Sequence, residues 1–184
     1  MRIVAGRFRG RTLQGPSGPW LRPTADRMKE SIYNVLQEWF PGAHVLDLYA
    51  GTGNLGLEAL SRGAKRVVLV EQSPRARRLI ARNIGTLGVA DEVEVVAVDA
   101  LRYFTTQSDA RLDVVLADPP YDAGVEDHLL AALPGAALPA GGCFVLQHRR
   151  SWALDGVPSE FSVWRTKHFG DTVVDFLVRQ EEER

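Results

Sequence analysis

The sequence predicts an α/β fold: a mostly parallel sheet of seven strands, helices on both faces, and an antiparallel hairpin at the C-terminal edge. Two observations predict it. From residue 44 onward, short apolar runs alternate with helical segments, the pattern of parallel strands covered on both faces. The last two runs, 161–169 and 172–180, are joined only by Gly170–Asp171, a link that suits a hairpin and not a parallel crossover.

The elements follow in order. Residues 1–25 hold Arg2, Arg7, Arg9, Arg11 and Arg22, no acid, and Gly or Pro at 6, 10, 15, 16, 18, 19 and 23. This reads as a basic arm with a short strand or hairpin. In extended backbone Arg7, Arg9 and Arg11 would share one face. We divide the chain here, into an arm over 1–23 and a domain over 24–184. A helix is expected over 24–40, with Met28, Ile32, Val35, Leu36 and Trp39 in one stripe, Thr24 as N-cap and Pro41–Gly42 as terminator. HVLDLYA (44–50) is a buried strand, and Asn54–Ser61 a helix closed by Gly63. RVVLVE (66–71) is the second strand. Ser73–Pro74 opens a helix that runs to Leu87 and stops at Gly88. Strands are expected at 93–99, 112–118 and 142–148, and a helix at 125–133.

Composition excludes several classes. At 45% hydrophobic the chain can bury a core and is not disordered. One cysteine, Cys143, allows neither an internal disulfide nor a Cys-x-x-Cys zinc site, and the four histidines lack metal-ligand spacing, so no metal is expected. The apolar runs are too short to span a bilayer, and the N-terminus lacks the apolar stretch of a signal peptide. A soluble, cytoplasmic protein without membrane partners is expected. The net charge of −1, from 22 basic and 23 acidic residues, speaks at first against nucleic acid, but the acid-free arm points the other way.

Gly51-Thr52-Gly53-Asn54-Leu55-Gly56 fits G-x-G-x-x-G between a strand and a helix. Gly51 and Gly53 allow a tight turn and close ligand approach, and Gly56 allows close helix–strand packing. Glu71, 20 residues after Gly51, ends the second strand, where a carboxylate accepts hydrogen bonds from ribose hydroxyls. Asp47 precedes the loop, and Asp99 ends the third strand. Two ligand classes fit the loop: a dinucleotide, or S-adenosylmethionine. Asp47 would repel a pyrophosphate and suits a ligand bearing an ammonium and a sulfonium.

Asp118-Pro119-Pro120-Tyr121 closes the fourth strand. Proline restricts the residue before it, holding Asp118 extended. The Asp118 carboxylate and the Pro119 carbonyl can each accept an N–H of an exocyclic amine, and Tyr121 offers a stacking face for a flipped-out base.

DLYAGTG, Glu71 and DPPY together resemble a Rossmann-like class I S-adenosylmethionine-dependent methyltransferase of the amino-methylating group. The full chain is similar to the bacterial family that methylates guanine N2 in 16S ribosomal RNA. MRIVAGRFRGRTL, LRPTADRMKESIYNVL, DLYAGTGNLGLEALSRGAKRVVLVE and KHFGDTVVDFL carry that resemblance over nearly the whole chain. One departure is Gln147, where an acid is expected. The resemblance implies cofactor contacts from Asp47, the Gly51–Gly53 loop with Thr52, Glu71, Asp99 and Asp118, extended here to the neighbours Tyr49, Asn54, Gln72 and Ala100. It implies Asp118, Pro119, Pro120 and Tyr121 at the target base. Arg7, Arg9, Arg11, Arg22, Thr24, Arg149 and Arg150 are candidate RNA contacts. The expected partner is 16S rRNA in an assembled or assembling small subunit, the expected co-product S-adenosylhomocysteine, and the expected state a monomer. Competing readings are an adenine-N6 methyltransferase on DNA or RNA, an NAD-binding oxidoreductase, and an RNA-binding assembly factor without catalysis.

Overall fold

In a computed structural model, residues 1–15, 23–106, 111–121 and 124–181 are described, residues 23–27 by their backbone alone. Seven strands form one sheet in the order β3-β2-β1-β4-β5-β7-β6. They are β1 (His44–Leu48), β2 (Arg66–Val70), β3 (Val93–Val96), β4 (Val114–Ala117), β5 (Cys143–Arg149), β6 (Phe161–Phe169) and β7 (Thr172–Arg179). β1 to β5 are parallel, and β7 lies antiparallel between β5 and β6. The helices are α1 (Pro23–Val35), α2 (Asn54–Ser61), α3 (Pro74–Leu87), α4 (Ala100–Thr106) and α5 (Glu126–Ala132), with a 3₁₀ turn at Leu133–Gly135.

Alternation along the strands splits the core in two. Val45, Val67, Val114 and Val145 face one side, where Ile32, Leu36, Leu57 and Ile80 of the α1–α3 layer cover them. Leu46, Val70, Val115 and Leu146 face the other, under Phe104 of α4 and Leu129 of α5. The strand order reverses between β1 and β4, so their carboxyl ends border a topological switch, where open α/β sheets bind ligands.

Three expectations change. Helix α1 ends at Val35, not at residue 40, because the chain tightens into a turn in which the Trp39 amide donates to Leu36 O (2.9 Å). The apolar stripe continues through buried Leu36 and Phe40, so periodicity alone overran the end. β3 stops at Val96, and Asp99 instead caps α4, a helix absent from the sequence reading, by accepting the Arg102 amide (2.8 Å). The arm is not extended. Residues 5–10 form turns with Gly6 and Gly10 at φ of 80° and 83°, so Arg7, Arg9 and Arg11 do not share a strand face.

The first 15 residues form a hairpin-like loop, with one antiparallel bridge between Arg2 and Thr12, whose Ile3 and Leu13 enter the α1–α3 core. Gly6 crosses so close to α2 that a Cβ there would lie 1.8 Å from Ser61 O. Fully buried Glu58 holds this contact: its carboxylate accepts the Val4 and Ala5 amides at 2.8 and 3.0 Å and pairs with Arg62 (3.0 Å) and Lys29 (3.4 Å). Lys29 in turn donates to Arg2 O and to Asn54, the first residue of α2. Removing one member of a buried ionic network leaves charge and amides uncompensated. Glu58→Ala is therefore expected to lower unfolding free energy by about 3 kcal/mol in urea titrations and to speed tryptic cleavage at Arg7, Arg9 and Arg11. Unchanged stability and cleavage would remove Glu58 as the anchor.

Candidate active site

The carboxyl ends of β2, β1 and β4 carry three carboxylates within one neighbourhood. Asp47, on β1, is buried beneath the glycine loop, and its Oδ2 accepts the Gly56 amide at 2.8 Å. That bond takes up a free N–H in the first turn of α2. A Cβ on Gly56 would lie 2.4 Å from the Leu69 side chain and 2.7 Å from that of Val67, so glycine is what allows α2 to seat on β2. Between them, Gly51 and Gly53 take φ of 57° and 75°, and Tyr49 takes φ 61°, a left-handed conformation that is costly for a side chain of its size. Glu71 closes the loop from β2: Oε2 accepts the Gly51 amide (2.8 Å) and Oε1 the Ser73 amide (2.7 Å). Each oxygen retains a further lone pair for a ligand hydroxyl.

Asp47 Oδ1 is buried and has no hydrogen-bond partner among the described residues. Burial pushes this carboxyl up to about 7; the Gly56 amide works against the rise, and nearby Asp118 and Glu71 add to it. Asp118 follows β4 and opens into a cavity, yet protein atoms crowd it enough to push it up to about 6. Such a cluster is electrostatically unfilled. It favours a cation and disfavours the phosphates of a dinucleotide.

The cavity has a volume of about 450 Å³. It brings together Tyr49, Gly51, Glu71, Gln72, Ala100 and the whole of Asp118-Pro119-Pro120-Tyr121, with Val70 at its floor. It does not bring in every candidate. Asp47 lies below its wall, while Thr52, Gly53 and Asn54 are turned to structural partners or packing: the Thr52 carbonyl accepts from Asn83 (3.0 Å), Gly53 packs on Leu69, and Asn54 accepts from Lys29 (3.1 Å). Asp99 is exposed as the α4 cap. A cavity of about 510 Å³ opens at the opposite end of the sheet, around His44, Lys65 and Asp113. It has neither a glycine loop nor strand carboxyl ends.

Tyr121 is fixed by the last residue of β5 and the first of β7. Its hydroxyl bonds the Thr172 hydroxyl at 2.6 Å, and the Arg149 guanidinium carbon lies 5.3 Å from its ring centre. Arg150 is exposed beside it, its amide donating to Asp171 O (2.8 Å). Beneath, buried His148 donates or accepts with Asp175 Oδ2 at 2.8 Å; burial lowers the imidazole, but the Asp175 and Arg149 carbonyl contacts outweigh it and raise it overall. The arm arginines stand elsewhere. Arg7 pairs with Glu92, which precedes β3 at the end of the sheet away from the cavity, and Arg9 and Arg11 are exposed on the same loop. Arg22 lies outside the described residues, and of Thr24 only the backbone is described. Sequence reasoning missed Thr172, and it missed Asn83, whose amide ties the Thr52 carbonyl to the Gln14 backbone. Neither carries a local signal.

The family model described as "Conserved hypothetical protein 95" matches residues 1–178. The chain belongs to this family. It is 33% identical over 181 residues to the ribosomal RNA small subunit methyltransferase D of Escherichia coli strain K12, spanning 98% of this chain and 90% of that one. The Haemophilus influenzae protein of the same name is 36% identical over 135 residues, 72% of this chain and 70% of its own. A solved Escherichia coli chain, provisionally described as a methyltransferase, superposes with a TM-score of 0.87 at 29% identity over 98% of both chains. A hypothetical protein from a Thermus species gives 0.79 at 30% identity, over 97% of this chain and 99% of its own. The fold is thus the Rossmann-like fold of methyltransferases, with its C-terminal antiparallel hairpin. Among the described residues, no helix is long and apolar enough to cross a membrane.

The raised Asp47 carboxyl has a measurable cost. The folded value, about 7, lies above the unfolded value, so the unfolded chain ionises first as pH rises. Stability is then lost from about pH 4 to about pH 7, with the full cost present above pH 7. Asp47→Asn keeps an acceptor for Gly56 and removes the charge. It is expected to be more stable than wild type at pH 8 by roughly 1–3 kcal/mol, with the difference gone at pH 4. Urea unfolding at the two pH values measures this; a variant less stable at both would refute it.

Proposed function

We propose that this protein transfers a methyl group from S-adenosylmethionine to the exocyclic N2 of a guanine in 16S ribosomal RNA of the small subunit, acting in the cytoplasm as a monomer. One observation carries the reading: the Asp118–Tyr121 tetrapeptide stands at the mouth of the cavity whose other walls are Gly51 and Glu71. A nucleotide-type cofactor site and an amine acceptor site therefore share one space. The names of the Escherichia coli and Haemophilus influenzae relatives support ribosomal RNA as the substrate.

The residues present suit this cofactor. Glu71 has lone pairs for the ribose hydroxyls, Gly51 leaves room for close approach, and Ala100 and Gln72 line the remaining wall. Asp47 Oδ1, buried and unpartnered, supplies the negative field that a cationic ligand would neutralise. When bound, S-adenosylmethionine supplies a methyl group on a positively charged sulfur. Pro119 and Pro120 have no N–H, so the tetrapeptide presents acceptors where most strand ends would also present donors. That suits an –NH₂ group, which brings two donors. Above about pH 6 Asp118 is ionised and accepts one N–H, holding the nitrogen and favouring its pyramidal form. The nitrogen would take the methyl as the sulfur–methyl bond breaks, leaving neutral S-adenosylhomocysteine, and its proton would pass to solvent. Tyr121, held by Thr172 and Arg149, keeps a rigid edge for the base, and orientation of this kind contributes much of a methyl-transfer rate.

Radiolabelled cofactor offered to small subunits lacking the modification, to naked 16S rRNA and to duplex DNA tests the reading. Digestion to nucleosides is expected to place the label in N2-methylguanosine from the small-subunit RNA. Asp118→Ala is expected to lower the rate at least ~100-fold while cofactor binding, followed by calorimetry, persists. Label in adenine, or in DNA alone, would contradict the proposal.

A further inference from the structure

Strand β6 is the free edge of the sheet, and through β7 its Lys167 lies level with Gln147 near the carboxyl end of β5. Arg165 pairs with Phe176 and Lys167 with Val174, so both project from the face that β7 packs against the α1–α3 layer. Two residues apart on a strand, they stand about 7 Å from each other, a separation close to that of successive phosphates in an extended single strand. The same face continues through Phe169 to Thr172, which holds the Tyr121 hydroxyl, and on to Arg149. Opposite Arg165 and Lys167, Ser31, Asn34 and Glu30 of α1 form the second wall of a groove of about 400 Å³. Stacking against Trp164, with 4.7 Å from guanidinium carbon to ring centre, braces Arg165 at the surface, and Trp164 itself leans on Trp39. The groove thus lies further down the same strand face that carries Thr172, the partner of Tyr121.

We propose that this groove seats the phosphate backbone of the RNA strand leaving the Asp118–Tyr121 cavity, with Arg165 and Lys167 on successive phosphates. The inference rests on the RNA reading above. RNA fits better than an added β-strand, because the register shift between Val163 and Arg165 breaks the edge ladder and the two cations discourage strand pairing.

The test compares wild type with Arg165→Gln/Lys167→Gln and with Arg111→Gln, an exposed cation at the far end of the sheet. For the double variant, KM for unmodified small subunits is expected to rise roughly tenfold with kcat and cofactor affinity unchanged. The slope of log affinity against log salt should flatten by about 1.4, two phosphate contacts on a single strand. Lys167→Arg should behave as wild type, and Arg111→Gln should change neither quantity. Unchanged KM and slope in the double variant would overturn the proposal, as would an equal effect from Arg111→Gln. So would a changed oligomeric state with RNA binding intact, which would make β6 a strand-pairing edge. If wild type itself methylates no RNA, the reading of the substrate fails instead.

Discussion

The structure depends on one buried hydrogen bond, from the Gly56 amide to Asp47 Oδ2. It joins β1 to α2 where the chain must reverse through Tyr49, Gly51 and Gly53, all in left-handed backbone. The bond requires a carboxylate beneath the loop and a glycine above it, since any side chain at 56 would collide with Leu69 and Val67. It also has a consequence for the site. A carboxylate placed there for one N–H keeps a second oxygen that no described residue satisfies. With Glu71 and Asp118 on the neighbouring strand ends, the centre of the switch becomes acidic and stays so at the expense of stability. A protein of this construction holds a field ready for a cation.

Charge is divided by location. Three acids, Glu71, Asp47 and Asp118, gather at the carboxyl ends of β2, β1 and β4, inside the cavity and below it. Arg149, beside Tyr121, Arg150, which follows it, and Arg165 and Lys167 on β6 lie on the β5–β7–β6 side. A net charge of −1 averages these two opposed surfaces and describes neither. The hairpin that carries Arg165 and Lys167 also fixes Tyr121 through Thr172, so the support of the tetrapeptide and the cationic edge are built from the same element. Asp175 ties that element to β5 through His148 and its two strands to each other through the Thr166 hydroxyl.

What was legible in the sequence was what local spacing encodes. The alternation of strands and helices, the terminal hairpin, the glycine loop with Glu71, and the Asp-Pro-Pro-Tyr strand end all depend on neighbours within a few residues or one β-α-β unit. The remainder depends on which strands pair. Nothing near Thr172 marks it as the partner of Tyr121, since 51 residues separate them and the contact exists only because β7 inserts beside β5. Nothing local marks Glu58, Lys29 and Asn83, yet the folded arm covers all three and makes them buried anchors. The arm's arginines looked like a single extended face until Gly6 and Gly10 turned the backbone. Short α4 has too few apolar positions for periodicity to register, so Asp99 read as the end of a strand with no helix after it.

The central claim is that the Asp47 carboxylate is held in an unfilled field that a cationic cofactor relieves. Carbon-13 NMR titration of the Asp47 carboxyl, in the free protein and with S-adenosylmethionine, measures this directly. The account predicts a midpoint near 7 in the free protein and a fall of at least about one unit on binding, with a proton released near neutral pH. An ordinary carboxylate midpoint of about 4 in both states, or a midpoint that does not move on binding, would contradict it.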